Sequence, residues 1–208
     1  NTTGKNREAH VVFRETGKEP AIRAYDMINA TLSSSDATTD HAIQWHTESN
    51  GIVGFCWHWA MPMTSGSGSS AYTKDTAFRL RNALVEGTEE NKKFLKDLDT
   101  VAKLLQKLRD NHTPVLWRPF HEASGGWFWW GADGAEMYKQ AWNLMWEKFT
   151  YEYELTNLIW VWEAESYSWY VGDDRCDIVG RDWYWGEGKY EYLSGYELFE
   201  DVTLWSGN

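Results

Sequence analysis

Short apolar runs alternate with longer amphipathic segments along most of this chain. The apolar runs predict five β-strands, at about residues 21–26, 52–59, 115–121, 157–162 and 177–182. Two of the intervening segments predict amphipathic helices, at about residues 89–109 and 135–149, because their apolar residues recur at helical spacing. Strands that alternate with helices in this way predict a parallel sheet of the α/β class.

Ionisable side chains recur where the predicted strands end. Asp26, His58, Glu122, Glu163 and Asp182 each lie at or just after such an end. The carboxyl ends of parallel strands share one edge of a sheet, and the active site of a TIM (β/α)8 barrel lies at that edge. The pattern therefore predicts this barrel. A doubly wound open sheet is the alternative, but no glycine-rich phosphate-binding loop follows any of the predicted strands.

Composition limits the function further. The 208 residues are most simply one domain, and 20 basic against 31 acidic residues give a net charge of −11, which argues against a nucleic acid or an anionic membrane as partner. No apolar run is long enough to span a bilayer. The two cysteines, Cys56 and Cys176, are far apart and form no metal-ligand spacing, so no metal and no cofactor is implied.

Aromatic residues are unusually frequent, with 15 tryptophans and 11 tyrosines. They cluster near the predicted strand ends, which suits a groove that stacks on flat ligands such as sugar rings. Packing in the core is the alternative interpretation. The densest cluster follows a Gly-Gly turn, where Trp127, Phe128, Trp129 and Trp130 are consecutive.

The segment at 118–122 combines ionisable groups with a strand end. We expect the carboxyl of Glu122 to be held neutral among aromatic rings and to act as a general acid, while Arg118 pairs with a carboxylate. A purely structural Arg118–Glu122 ion pair is the alternative.

The order of these residues resembles a known motif. Residues 118–122 (RPFHE) followed by 126–131 (GWFWWG) are similar to the acid/base motif of glycoside hydrolase family 26, which includes retaining endo-β-1,4-mannanases. The resemblance covers most of the chain, because four further segments are similar to the second, third, fifth and sixth barrel strands of that family: 17–26, 51–59, 160–162 and 172–184.

The resemblance implies a function and a set of site residues. It implies an endo-acting hydrolase of β-mannan or galactomannan that works by double displacement, with Glu122 as general acid/base. The residues that would shape and support the subsite at the scissile bond are His58, His121, Trp127, Trp162, Asp182 and Tyr184. A β-xylanase, a mixed-linkage β-glucanase and a noncatalytic carbohydrate-binding fragment stay as alternatives. The resemblance also implies a secreted, periplasmic or cell-surface protein.

Two parts of the family pattern are not matched. The first barrel strand and the seventh, which carries the nucleophilic glutamate, have no counterpart among the 208 residues, and a full barrel needs about 250 residues. We therefore expect residues 1–208 to form one catalytic domain that is incomplete at both ends and covers roughly strands two to six. Glu163 and Glu165 are the nearby alternative candidates for the nucleophile. We also expect a second chain or a missing segment to close the barrel, and residues 1–208 alone to be poorly soluble or molten, because open sheet edges expose unpaired backbone groups.

Overall fold

The computed structural model describes residues 7–32, 37–164 and 166–182, together with Leu204. Seven strands form in this part of the chain: β1 (Ile22–Asp26), β2 (Ile52–Cys56), β3 (Met61–Pro62), β4 (Ser69–Ser70), β5 (Val115–Arg118), β6 (Leu158–Trp162) and β7 (Ile178–Val179). Five of them make one sheet in the order β1-β2-β5-β6-β7, with every neighbouring pair parallel. The short strands β3 and β4 pair with each other in antiparallel fashion.

Helices connect most of the parallel strands. The described α-helices are α1 (Arg7–Thr16), α2 (Thr38–Ser49), α3 (Leu80–Ala83), α4 (Glu89–Asp110) and α5 (Ala135–Glu147), and α5 continues into a π-helical turn at Lys148–Glu152. Helix α2 lies between β1 and β2, α4 precedes β5, and α5 precedes β6. Between β6 and β7 the described residues form a 3₁₀ turn, Tyr167–Trp169, so the alternation of strand and helix predicted there is wrong.

Helix α4 shows why the sequence folds as predicted. The hydroxyl oxygen of Thr88 accepts a hydrogen bond from the backbone N–H of Asn91 at 3.0 Å and caps the helix. Acidic residues in its first turn and basic residues in its last complement the helix dipole. The buried apolar face consists of Phe94, Leu98, Val101, Ala102, Leu105 and Leu108. This face packs into the core, as its helical spacing predicted.

The core beneath the sheet is rich in aromatic rings. The ring of Trp117 on β5 lies 6.2 Å from Phe149 in the π-helical turn, and Trp160 on β6 lies 5.7 Å from Trp142 on α5. Such contacts fix the helices against the strands and leave the carboxyl edge of the sheet for other groups.

Several predicted bounds need correction. Strand β2 ends at Cys56, since Trp59 N–H bonds to Trp57 C=O at 2.9 Å and the chain turns there. Strand β5 ends at Arg118, and Phe120 then adopts a φ of 49°, which cannot continue a strand.

Other segments carry more structure than the pattern indicated. Helices α1 and α2 and the β3–β4 hairpin lie in segments for which the apolar pattern predicts no strand and no amphipathic helix. Before β2, Gly51 permits close packing, since a Cβ there would lie 2.1 Å from Trp45 Nε1. At Gly54 it would meet its nearest neighbours at an ordinary 3.9 Å.

Candidate active site

All five parallel strands deliver an ionisable side chain to the same edge of the sheet. Asp26 ends β1, His58 follows β2, Glu122 follows β5, Glu163 follows β6 and Asp182 follows β7. Hydrogen bonds connect the groups from neighbouring strands, so the sequence-based expectation that these ends converge is confirmed as geometry.

The backbone at Glu122 is held in an unusual conformation. Glu122 has a φ of 54°, in the left-handed region that few non-glycine residues adopt. Its N–H donates to the carbonyl of Glu163 at 2.9 Å and to Glu163 Oε2 at 3.2 Å, which stabilises the turn. Strained backbone of this kind concentrates at functional sites, where it fixes the direction of a side chain.

The side chain of Glu122 is largely buried but keeps a small exposure to solvent. The residue is 9% exposed, and its Oε2 accepts a hydrogen bond from Trp127 Nε1 at 3.0 Å. Glu122 also hydrogen-bonds to the carboxyl group of Asp182.

Arg118 pairs with two carboxylates, neither of which is that of Glu122. Its Nη1 lies 2.7 Å from Glu163 Oε2 and 3.1 Å from Asp182 Oδ2, so the predicted pairing forms with these partners. Burial alone would raise the pKa of Asp182, but the hydrogen bond with Glu122 and the charge of Arg118 outweigh burial and lower it. Burial likewise acts to lower the pKa of Arg118, and Asp182 and Glu163 more than compensate.

The two predicted histidines contact each other. His58 Nε2 lies 3.3 Å from His121 Nε2, and the carboxylate of Asp26 binds the opposite side of His58 at Nδ1, 2.6 Å away. The side chain of His58 is 34% exposed, whereas His121 is 2% exposed. The pair therefore has an outer ring that a ligand can reach and an inner ring that it cannot.

Only one of the four consecutive aromatic rings is open to solvent. Trp127 is 42% exposed, while Phe128, Trp129 and Trp130 are buried in the core. The Trp127 ring packs directly on Gly125, where a Cβ would lie 1.9 Å from it. Among these four rings, Trp127 has the one open face, and the core alternative holds for its three neighbours.

Trp162 is fully buried, with its ring 5.1 Å from that of Tyr170. This burial favours a packing role beneath the site, and direct contact with a ligand stays a prediction. Tyr184 and Glu165 lie outside the described residues.

Glu163 is 1% exposed, and its Oε2 contacts both Arg118 Nη1 and the backbone N–H of Glu122. These contacts suit a residue that holds the site together better than they suit a nucleophile.

The sequence analysis places Asp26 at a strand end without giving it a role, and it does not connect Cys56 with the site. Asp26 ends a predicted strand, which was the available signal, but its partner His58 lies 32 residues away. Within the described residues, Asp26, Cys56 and His58 place three possible metal-ligand atoms within 4.8 Å of one another. The carboxylate of Asp26 already hydrogen-bonds His58 directly, so the close approach of these atoms is explained without a metal ion.

A parallel sheet that gathers carboxylates, an arginine and an exposed tryptophan at its carboxyl edge has the arrangement of an active site in a (β/α)8 barrel. The sequence profile described as glycosyl hydrolase family 26 matches residues 1–207. The chain belongs to this family, whose fold is the TIM barrel, and the five described strands are part of that barrel. The resemblance and the fold class predicted from the sequence are confirmed.

Individual relatives agree with this membership. A mannan endo-1,4-β-mannosidase of Thermothelomyces thermophilus is 39% identical over 206 residues, covering 93% of this chain and 42% of the relative. The crystal structure of a Podospora anserina GH26-CBM35 β-(1,4)-mannanase superimposes with a TM-score of 0.86 at 33% identity, covering 96% of this chain and 47% of that one.

A third relative was solved with a ligand. The β-mannanase from a symbiotic protist of the termite Reticulitermes speratus, complexed with gluco-manno-oligosaccharide, matches with a TM-score of 0.86 at 31% identity, covering 99% of this chain and 68% of that one. The chain thus spans less than half the length of the first two relatives. Among the described residues, no helix has the length and apolar character needed to cross a membrane.

Proposed function

We propose that the protein containing this chain is a retaining endo-β-1,4-mannanase in which Glu122 is the general acid/base. The observation that carries the proposal is the placement of Glu122. A left-handed backbone, a hydrogen bond from Trp127 and a hydrogen bond with Asp182 fix its carboxyl at the carboxyl edge of the sheet.

In the proposed reaction, Glu122 donates a proton to the leaving glycosidic oxygen as a second carboxylate attacks the anomeric carbon. Glu122 then removes a proton from the water that hydrolyses the glycosyl-enzyme intermediate. The nucleophile is not assigned to a described residue.

The proposed substrate contacts are made by the side chains that are exposed at the carboxyl edge of the sheet. The open face of Trp127 stacks on a sugar ring, and the exposed edge of the His58 ring packs against the sugar. His121, Trp162 and Asp182 support these groups from beneath, and Tyr184 is a further predicted contact. The relatives named as mannanases support β-mannan as substrate over β-xylan or mixed-linkage β-glucan. A polymeric substrate of this kind supports a secreted, periplasmic or cell-surface location.

The proposal is tested with Glu122→Gln in the full-length protein, using galactomannan and an aryl β-mannobioside with an activated leaving group. Reducing-sugar release from galactomannan should fall by about 10²–10⁴-fold, since proton transfer contributes about that much to catalysis. The value of kcat/KM for the activated aryl substrate, which reports the glycosylation step alone, should fall far less, because this leaving group needs no proton.

Glu136→Gln is the matched control, because the side chain of Glu136 is 81% exposed on helix α5. This variant should keep wild-type turnover on both substrates. Wild-type hydrolysis of galactomannan by Glu122→Gln would overturn the assignment. An equal loss on both substrates would show that Glu122 is not the proton donor.

A further inference from the structure

Asp26 holds His58 with both of its carboxylate oxygens. Oδ1 accepts the backbone N–H of His58 at 3.0 Å, and Oδ2 lies 2.6 Å from its Nδ1. Two bonds from one carboxylate fix both the position of the residue and the plane of its ring. Because a carboxylate can only accept, the hydrogen on His58 Nδ1 is set by Asp26.

The fixed ring of His58 in turn limits the hydrogen bonding of His121. Their Nε2 atoms lie 3.3 Å apart, so one must donate and the other accept. His121 Nδ1 is buried and has no hydrogen-bond partner among the described residues. A charged His121 and a neutral His121 that accepts at Nε2 both leave the Nδ1–H unsatisfied, but only the charged ring also buries a positive charge.

The surrounding charges favour the same distribution. Hydrogen bonds with Asp26 and Cys56 outweigh burial and raise the pKa of His58 to about 10. Burial, together with the charges of Arg118 and His58, lowers the pKa of His121 to about 3, although the charges of Asp26 and Asp182 act in the opposite direction. The other ionisable groups at this edge, Glu122 and Glu163, lie in the Asp182 and Arg118 network.

We propose that Asp26 is a positioning residue that holds His58 as an imidazolium and thereby fixes the hydrogen of His121 on Nδ1. The positive charge then rests on the outer, ligand-accessible ring, and the ring next to Glu122 in the chain stays neutral. A second cation in that position would favour the ionised form of the proton donor. The benefit to catalysis rests on the proposed role of Glu122, but the charge arrangement itself does not.

The arrangement is read directly from the ring-nitrogen resonances of ¹⁵N-histidine-labelled wild-type protein, assigned with His58→Gln and His121→Gln. From about pH 5 to about pH 9, both nitrogens of His58 should be protonated and His121 should carry its hydrogen on Nδ1 alone. This measurement needs no substrate, so its outcome is independent of whether Glu122 is the acid/base.

Asp26→Asn keeps a hydrogen-bond acceptor but removes the charge. The titration of His58 should shift down by at least about 2 pH units, and kcat/KM on galactomannan should gain a new ionisation in the neutral range. Asp40→Asn is the control, since its side chain is 63% exposed and pairs with Lys107. It should change neither readout.

Three results would overturn the proposal. These are wild-type His58 titrating near its ordinary value of about 6.5, wild-type His121 with its hydrogen on Nε2, or Asp26→Asn with an unchanged His58 titration. Because the first two do not depend on Asp26→Asn, the proposal is decided even if that variant fails to fold.

Discussion

The indole Nε1 of Trp127 lies 3.0 Å from Oε2 of Glu122, and the indole ring packs on the backbone of Gly125. An indole nitrogen can only donate, so this Oε2 is an acceptor, which favours Oε1 as the oxygen that carries a transferable proton. Trp127 therefore both offers a stacking face to a ligand and orients the carboxyl of Glu122.

Trp127→Phe separates these two contributions, because it keeps an aromatic face and loses the N–H. Removing a hydrogen bond to a charged or ionisable group costs about 1.5–3 kcal/mol, so we expect kcat/KM on galactomannan to fall by about 10–100-fold. The loss should be mainly in kcat, and Trp127→Ala should raise KM as well. Steady-state kinetics on both variants measure the split.

Trp146→Phe is the control for this prediction. Trp146 packs against the guanidinium of Arg175 at 4.3 Å, on helix α5 and not at the carboxyl edge of the sheet. Its kinetics should match wild type. If Trp127→Phe also kept wild-type kcat, the Trp127–Glu122 bond would have no part in proton transfer.

Arg118 holds the edge together because its partner Glu163 is almost fully buried. Arg118→Met leaves that carboxylate without its cation, and breaking a buried pair in this way costs about 3–5 kcal/mol of unfolding free energy. Urea denaturation of the full-length protein measures this. Arg14→Met, which removes a 73% exposed arginine paired with Glu15, should cost about 1 kcal/mol or less. Equal losses in the two variants would mean that the Arg118–Glu163 pair adds nothing beyond a surface contact.

The elements predicted correctly are those that neighbouring residues in the sequence identify. Strand β5 has a buried apolar run before an abrupt change to ionisable residues, and α4 has a full helical stripe with a cap. The hairpin of β3 and β4 was not predicted, because two-residue strands carry no periodicity. Helix α1 was not predicted, because the polar segment around it has only one apolar cluster.

Long-range contacts explain what the sequence could not reveal about the site. Trp129 is buried because its Nε1 donates to the carbonyl of Trp59, 70 residues earlier, and no local pattern distinguishes it from the exposed Trp127. The clamp of Asp26 on His58 depends on the parallel register that sets Asp26 beside Cys56. Identifying residues at strand ends was therefore possible, but pairing them was not.

The buried neutral histidine makes stability depend on pH in a defined direction. The folded pKa of His121 is about 3, below the ordinary value of 6.5, so the unfolded chain binds a proton that the folded chain does not. The stability that His121 contributes is present above pH 6.5 and is lost as the pH falls towards 3. The loss should have a slope of up to about 1.4 kcal/mol per pH unit. The stability that His58 contributes through its raised folded pKa is lost as the pH rises above about 6.5, so it acts mainly at the upper end of this window and is common to wild type and His121→Gln.

The measurement is the unfolding free energy of the full-length protein, from urea titrations at intervals between pH 7 and pH 4.5. His121→Gln should show a shallower decline than wild type, because glutamine takes up no proton on unfolding. His10→Gln, which changes an exposed histidine of helix α1, should follow the wild-type curve. Parallel curves for wild type and His121→Gln would show that His121 is protonated in the folded state, and the neutral inner ring would then be wrong.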